Sequence, residues 1–178
     1  MNSDLEKILL TEEQLKKKVI ELGTEISSDY EGKNPLLICI LRGAVIFFSD
    51  LCRAVKIPVN MDFVNLSSYN KGAFSSGEVK IRQELIADPE GKDIIIVEDI
   101  IDTGMTMEKY KQCLLDRGAG SVEICALLKK PEQKCVVDIR YKGFDIEDRF
   151  VVGYGLDYAE SYRNLPYIGI LKKEIYTK

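Results

Sequence analysis

Apolar residues follow two rhythms along this 178-residue chain. Leu15, Val19, Leu22 and Ile26 recur at helical spacing behind Thr11-Glu12-Glu13-Gln14, a capping-box pattern, and predict a helix to about Asp29. Unbroken apolar runs at Leu36 to Leu41 and Ile94 to Val97 have the length and β-branching of strands covered on both faces. Helical spacing returns from Gly43 to Val55 and from Gly104 to Arg117, with strands predicted at Pro58 to Leu66 and Ser121 to Leu128. Short strands near Val136, Phe150 and Tyr167 complete the pattern. Alternation of strand and helix implies a mainly parallel sheet flanked by helices. No repeat, low-complexity tract or linker divides the chain, and 46% hydrophobic content over this length supports one core, so a single α/β domain is expected.

One segment breaks both rhythms. Ser67 to Gly77, S-S-Y-N-K-G-A-F-S-S-G, is rich in Gly and Ser yet carries Tyr69 and Phe74. A loop this long inside a compact domain is usually a functional lid or disordered.

Charge narrows the function. With 25 basic and 29 acidic residues the net charge is −4, which offers no electrostatic footprint for nucleic acid. The run Lys16-Lys17-Lys18 is interleaved with Glu12, Glu13 and Glu21 and reads as a solvated helix face. No apolar stretch approaches a membrane span, and Met1-Asn2-Ser3-Asp4 lacks the basic and apolar regions of a signal peptide, so the cytoplasm is the expected location. Five cysteines, Cys39, Cys52, Cys113, Cys125 and Cys135, are odd in number, mostly set in apolar runs, and read as core thiols in a reducing compartment. Histidine is absent, which argues against a zinc site, a Ser-His-Asp triad or a Cys-His pair. Proton transfer falls to carboxylate, Lys, Tyr or water.

The richest chemistry lies in Ile94 to Thr106, I-I-I-V-E-D-I-I-D-T-G-M-T, where a buried strand runs into three carboxylates and a small, hydroxyl-bearing turn. The carboxyl edge of an open α/β sheet is where ligands bind, and a turn of small residues feeding a helix presents backbone N–H groups to an anion. Asp102-Thr103-Gly104-Met105-Thr106 fits one phosphate. Glu98 and Asp99 would repel that phosphate unless they have another partner, and adjacent carboxylates suit a vicinal diol or a divalent cation. The segment therefore reads as a ribose-phosphate site. Asp102, at the mouth of the turn, is placed to accept or donate a proton. Most Asp-Thr-Gly triplets before helices are simple caps, but the upstream strand and Glu-Asp pair weigh against that reading. Neither a G-x-x-x-x-G-K-[ST] loop nor a G-x-G-x-x-G turn after a strand is present, which disfavours nucleoside triphosphates and NAD.

V-E-D-I-I-D-T-G-M-T resembles the phosphoribosyl-diphosphate signature of type I phosphoribosyltransferases, and of their hypoxanthine-guanine group in particular. Leu41-Arg42-Gly43 resembles the family's diphosphate loop and Ser68-Tyr69 its lid. A-L-L-K-K-P and F-V-V-G-Y-G-L-D-Y-A-E-S-Y-R-N-L-P-Y resemble its purine-binding end. The resemblance spans Leu36 to Ile170. It implies a core of about 36–150, with a small hood formed by the N-terminal segment and about 151–178. It also implies purine salvage: transfer of a phosphoribosyl group from phosphoribosyl diphosphate to hypoxanthine or guanine.

On the same resemblance, Asp102 is the catalytic acid/base, and Glu98, Asp99, Asp102, Thr103, Gly104, Met105 and Thr106 hold the phosphoribosyl group. Arg42, Gly43, Ser68, Tyr69 and Arg163 contact diphosphate, while Lys129, Phe150, Val151 and Asp157 bind the purine. Mg²⁺ is the implied cofactor, near Glu98 and Asp99, with a second metal held by Asp157 through water. Lys130 is expected to point away. The implied assembly is a dimer or tetramer, without nucleic acid or membrane partners. Met105 stands where some relatives carry a basic residue, and Arg163 alone would read as a surface partner of Glu160. Transfer to xanthine or a pyrimidine, and a non-catalytic RNA-binding regulator on the same fold, are the alternative functions.

Overall fold

The computed structural model describes residues 2–67, 80–131 and 135–177. Ser68, Tyr69 and Phe74, and with them nearly all of the expected lid segment, lie outside the described residues.

Nine strands are described: β1 (Leu5–Leu10), β2 (Leu36–Leu41), β3 (Asn60–Ser67), β4 (Lys80–Gln83), β5 (Asp93–Ile101), β6 (Ser121–Lys129), β7 (Tyr141–Asp145), β8 (Val151–Val152) and β9 (Ile168–Leu171). Four helices join them: α1 (Glu12–Asp29), α2 (Val45–Ala54), α3 (Met105–Asp116) and α4 (Lys173–Tyr176). A six-stranded sheet runs β4-β3-β2-β5-β6-β7, parallel except for the β3–β4 edge. A second, three-stranded antiparallel sheet, β1-β9-β8, is built from the two ends of the chain.

Alternation along the central strands sorts side chains to two sides. Leu37, Cys39, Ile95 and Val97 pack with Leu15, Val19, Phe47 and Leu51 of α1 and α2. Leu36, Ile38, Ile94 and Ile96 pack with Met107, Tyr110 and Leu114 of α3. Each such apolar side chain, fully withdrawn from water, contributes roughly 1.5–3 kcal/mol, so strands buried on both faces anchor the fold. The start of α1 follows the predicted cap: Thr11 Oγ1 accepts from the Gln14 N–H at 3.3 Å, and Gln14 Oε1 accepts from the Thr11 N–H at 2.8 Å. All five cysteines are free, and burial pushes Cys39 up to about 12 and Cys52 up to about 11, which makes these two inert as thiols.

Three expectations change. β5 does not stop at Val97: pairing with β6 continues from Glu98 opposite Ala126 to Ile101 opposite Lys129, so Glu98 and Asp99 are strand residues. Among the described residues no strand forms near Val136, whose N–H donates to Thr103 O at 3.0 Å, and the sheet is closed by β7 at Tyr141–Asp145. β1 lies outside the elements that the hydrophobic pattern predicts. Two register shifts in its pairing with β9 break the alternation that marks a strand.

Candidate active site

β5 and β6 are neighbours, and their carboxyl ends open onto two cavities. The first, about 470 Å³, is lined by Glu98, Ile100 and Ile101, by the Asp102 to Met107 turn, and by Ile40 and Leu66. The second, about 260 Å³, is lined by Ile100, Asp102, Lys130, Arg149, Phe150, Val151, Leu156 and Asp157. Asp102 borders both. Its carboxylate has no hydrogen-bond partner among the described residues. A hollow of about 530 Å³ between α1, α2 and the hood contains none of the signature carboxylates.

The turn has the geometry of an anion cradle. Gly104 is left-handed, with φ 77°, and as the cap of α3 offers no side-chain acceptor to the first N–H groups of the helix. Thr103 Oγ1 accepts weakly from the Met105 N–H at 3.4 Å, and Met105 projects into solvent.

Glu98 and Asp99 are half-buried residues. Glu98 Oε2 is enclosed with no hydrogen-bond partner. Burial, followed by the neighbouring Asp99 carboxylate, pushes Glu98 well above its ordinary range. Burial also raises Asp99, but the hydrogen bonds from Glu98 and from the Ile100 N–H oppose that rise. Among the described residues no three His, Cys, Asp or Glu side chains form a metal cage.

This has a stability consequence. A raised carboxyl pKa means that the folded chain keeps a proton the unfolded chain releases, so stability falls as pH climbs above the ordinary value of 4.5. Glu98→Gln removes that loss. Its melting temperature should exceed that of the wild type by roughly 2–8 °C at pH 8. The gap should close as pH falls towards 4.5; a gap that widens on acidification would refute the assignment.

The Leu41–Arg42 peptide is cis. Gly43 leaves no room for a side chain: a Cβ there would sit 1.6 Å from Asp99 Oδ2. On the other side Gly155 packs so closely that its own Cβ would lie 2.0 Å from Gly43 O. The turn after β2, the acid pair on β5 and the hood are thus in direct contact.

Arg163 donates to Gly155 O at 2.8 Å and pairs with Asp157 Oδ1 at 2.8 Å and with Glu160 Oε2 at 3.4 Å. Its Nε is buried without a partner. Arg42 pairs with the same Glu160 oxygen at 2.8 Å.

Phe150 and Val151 line the second cavity, as Asp157 does. Lys129 is not in its lining. The Lys129 ammonium donates to Asp102 O at 3.1 Å and to Lys130 O. Lys130 also borders the cavity, with its ammonium paired to the exposed Asp148 at 3.0 Å. Tyr176 was not singled out, yet its ring stacks on Phe150 with centroids 4.9 Å apart, and Tyr158 meets Phe150 edge-on at 5.6 Å. Nothing local marks Tyr176, whereas Glu160 could be noticed from its spacing to Arg163.

Residues 7–159 match the phosphoribosyl transferase domain family. The hypoxanthine-guanine phosphoribosyltransferase of Bacillus subtilis is 48% identical over 177 residues, covering 99% of this chain and 98% of that protein. The bifunctional protein TilS/HprT of Listeria monocytogenes is 49% identical over 179 residues, and this chain spans only 28% of its length. Among solved structures, a hypoxanthine phosphoribosyltransferase from Staphylococcus aureus superposes with a TM-score of 0.95 at 44% identity, covering 100% of this chain and 97% of the other. The chain belongs to the phosphoribosyltransferases and, within them, to the hypoxanthine-guanine phosphoribosyltransferase family.

Proposed function

We propose that this protein transfers the phosphoribosyl group of phosphoribosyl diphosphate to hypoxanthine or guanine, releasing the purine nucleoside monophosphate and diphosphate. The observation that carries this reading is the position of Asp102, whose residue borders the acid-and-turn cavity on one side and the Phe150 cavity on the other. A ribose in the first and a purine in the second would meet beside its carboxylate.

The residues divide accordingly. The Asp102 to Thr106 turn takes the 5′-phosphate, and Glu98 and Asp99 take the ribose diol. Arg42, the backbone at Gly43, and Arg163 take the diphosphate. Phe150 stacks on the base, the Val151 backbone reads its edge, and Lys129 donates to O6. Two of the three Lys129 ammonium donors are used by main-chain carbonyls, which leaves one for the substrate. Asp102 moves the proton at the purine nitrogen as the bond to C1 forms.

The residues suit Mg²⁺. Carboxylate oxygen is the donor it prefers, and the unpartnered Glu98 Oε2, Asp99 and Asp157 provide it. When bound, Mg²⁺ would neutralise charge on the departing diphosphate. We place the reaction in the cytoplasm, consistent with five unpaired thiols. No helix among the described residues is long and apolar enough to cross a membrane. We infer a dimer or tetramer, which would cover the exposed apolar residues Val45, Met61 and Phe63 of α2 and β3.

The test is a steady-state assay of the purified protein with Mg²⁺, phosphoribosyl diphosphate and five bases: hypoxanthine, guanine, xanthine, adenine and uracil. Turnover should be confined to 6-oxopurines, with hypoxanthine or guanine preferred. Preference for uracil or adenine, or no turnover with any base, would overturn the reading.

A further inference from the structure

We propose that Glu160 is a displaceable internal anion, a positioning residue whose carboxylate holds Arg42 and Arg163 together until diphosphate takes its place and then reclaims them as diphosphate leaves. The proposal rests on the reading of these two arginines as diphosphate contacts. Arg42 and Arg163 lie on separate segments, yet both guanidinium groups converge on one oxygen, Glu160 Oε2, at 2.8 and 3.4 Å. Two cations this close repel one another unless an anion stands between them.

The loop that presents Glu160 is built for the purpose. Ala159 and Glu160 adopt φ of 48° and 62°, a left-handed conformation that side chains other than glycine rarely accept. The conformation is held by Asp157 Oδ2, which accepts from the Glu160 N–H at 2.9 Å, and by reciprocal backbone hydrogen bonds between Tyr158 and Ser161. Asp157 also grips Arg163 at 2.8 Å, so Arg163 keeps its place when Glu160 lets go. Arg42 has no other carboxylate partner among the described residues.

The pair is made to be exchanged. Arg42 and Glu160 side chains are 65% and 66% exposed, and an ion pair so open to water is worth no more than about fivefold in an equilibrium constant. Diphosphate carries more charge and can meet a guanidinium through two oxygens at once, so it outcompetes a single carboxylate. The arginines are thus ordered before diphosphate arrives, and its departure is eased by an anion that remains within reach. Affinity for diphosphate is lowered in exchange.

Binding of inorganic diphosphate with Mg²⁺, measured by titration calorimetry and by stopped-flow dissociation, separates the possibilities. Glu160→Gln keeps the shape and removes the charge; Glu160→Asn also removes the charge, with a shorter residue that tolerates the left-handed backbone and guards against a folding defect. Both should bind diphosphate about three- to fivefold more tightly than wild type, mainly through slower dissociation. Affinity for a purine nucleoside monophosphate in the absence of diphosphate should stay within about twofold, because that ligand does not need the two arginines. Equal or weaker diphosphate binding in folded variants would overturn the proposal, since a residue that only braces Arg42 would lower affinity when removed. Failure of the wild type itself to bind diphosphate would instead overturn the assignment of Arg42 and Arg163.

Discussion

Replacing Asp102 by Asn should lower kcat by a factor on the order of 10² to 10⁴ while leaving KM for phosphoribosyl diphosphate nearly unchanged. The substitution is nearly isosteric, and the contact that Asp102 makes with Lys129 uses the main-chain carbonyl, which Asn retains. What is lost is the capacity to take and return a proton. The chain contains no histidine to substitute for it. Glu98 and Asp99 are poor replacements because burial pushes both carboxyl groups above their ordinary range and Glu98 Oε2 is enclosed. Single-turnover measurements isolate the chemical step. If they show chemistry to be rate-limiting and kcat is nevertheless unchanged, proton transfer must be assigned elsewhere and Asp102 reduced to a spectator.

Lys129→Gln should lower kcat/KM for hypoxanthine by about 10- to 100-fold and narrow the gap between hypoxanthine and adenine. An ammonium can only donate, so it pairs with a 6-oxo group and confronts a 6-amino group with a second donor. Stranding two donors in a dry pocket supports discrimination on the order of 10⁴. The wild type should accordingly show negligible adenine turnover. Glutamine offers both a donor and an acceptor, which relaxes that conflict, but it can no longer serve the Asp102 and Lys130 carbonyls and the base at once. An unchanged ratio of hypoxanthine to adenine kcat/KM would move base recognition to the Val151 backbone.

These two effects differ in how far they can be read along the chain. Asp102 belongs to one contiguous segment: an apolar run, a Glu-Asp pair and a turn of small residues leading into a helix. Every feature there is local, because strand and helix periods and the φ tolerance of Gly104 are properties of neighbouring residues. The same holds for the Thr11 cap and for the helical spacing of α1. The position of Lys129 relative to its partners is not local. Parallel pairing of β6 with β5 sets Lys129 opposite Ile101 and brings its ammonium to the Asp102 carbonyl, 27 residues away in sequence.

Sequence alone determined the α/β class, the buried strands and the run of carboxylates leading into a small turn, since hydrophobic period and turn chemistry act over a few residues. It also brought out Arg42, Arg163 and Phe150, through resemblance rather than geometry. Tertiary structure decided the contacts between distant segments: Gly43 against Asp99, Gly155 against Gly43, Tyr176 on Phe150, and one Glu160 oxygen between two arginines. It also decided that β1 pairs with β9 through two register shifts, which is why no alternating pattern announced that strand. Contacts of this kind depend on how whole elements pack, and the repulsion of two cations or the exclusion of a single Cβ atom leaves no period in the chain to be read.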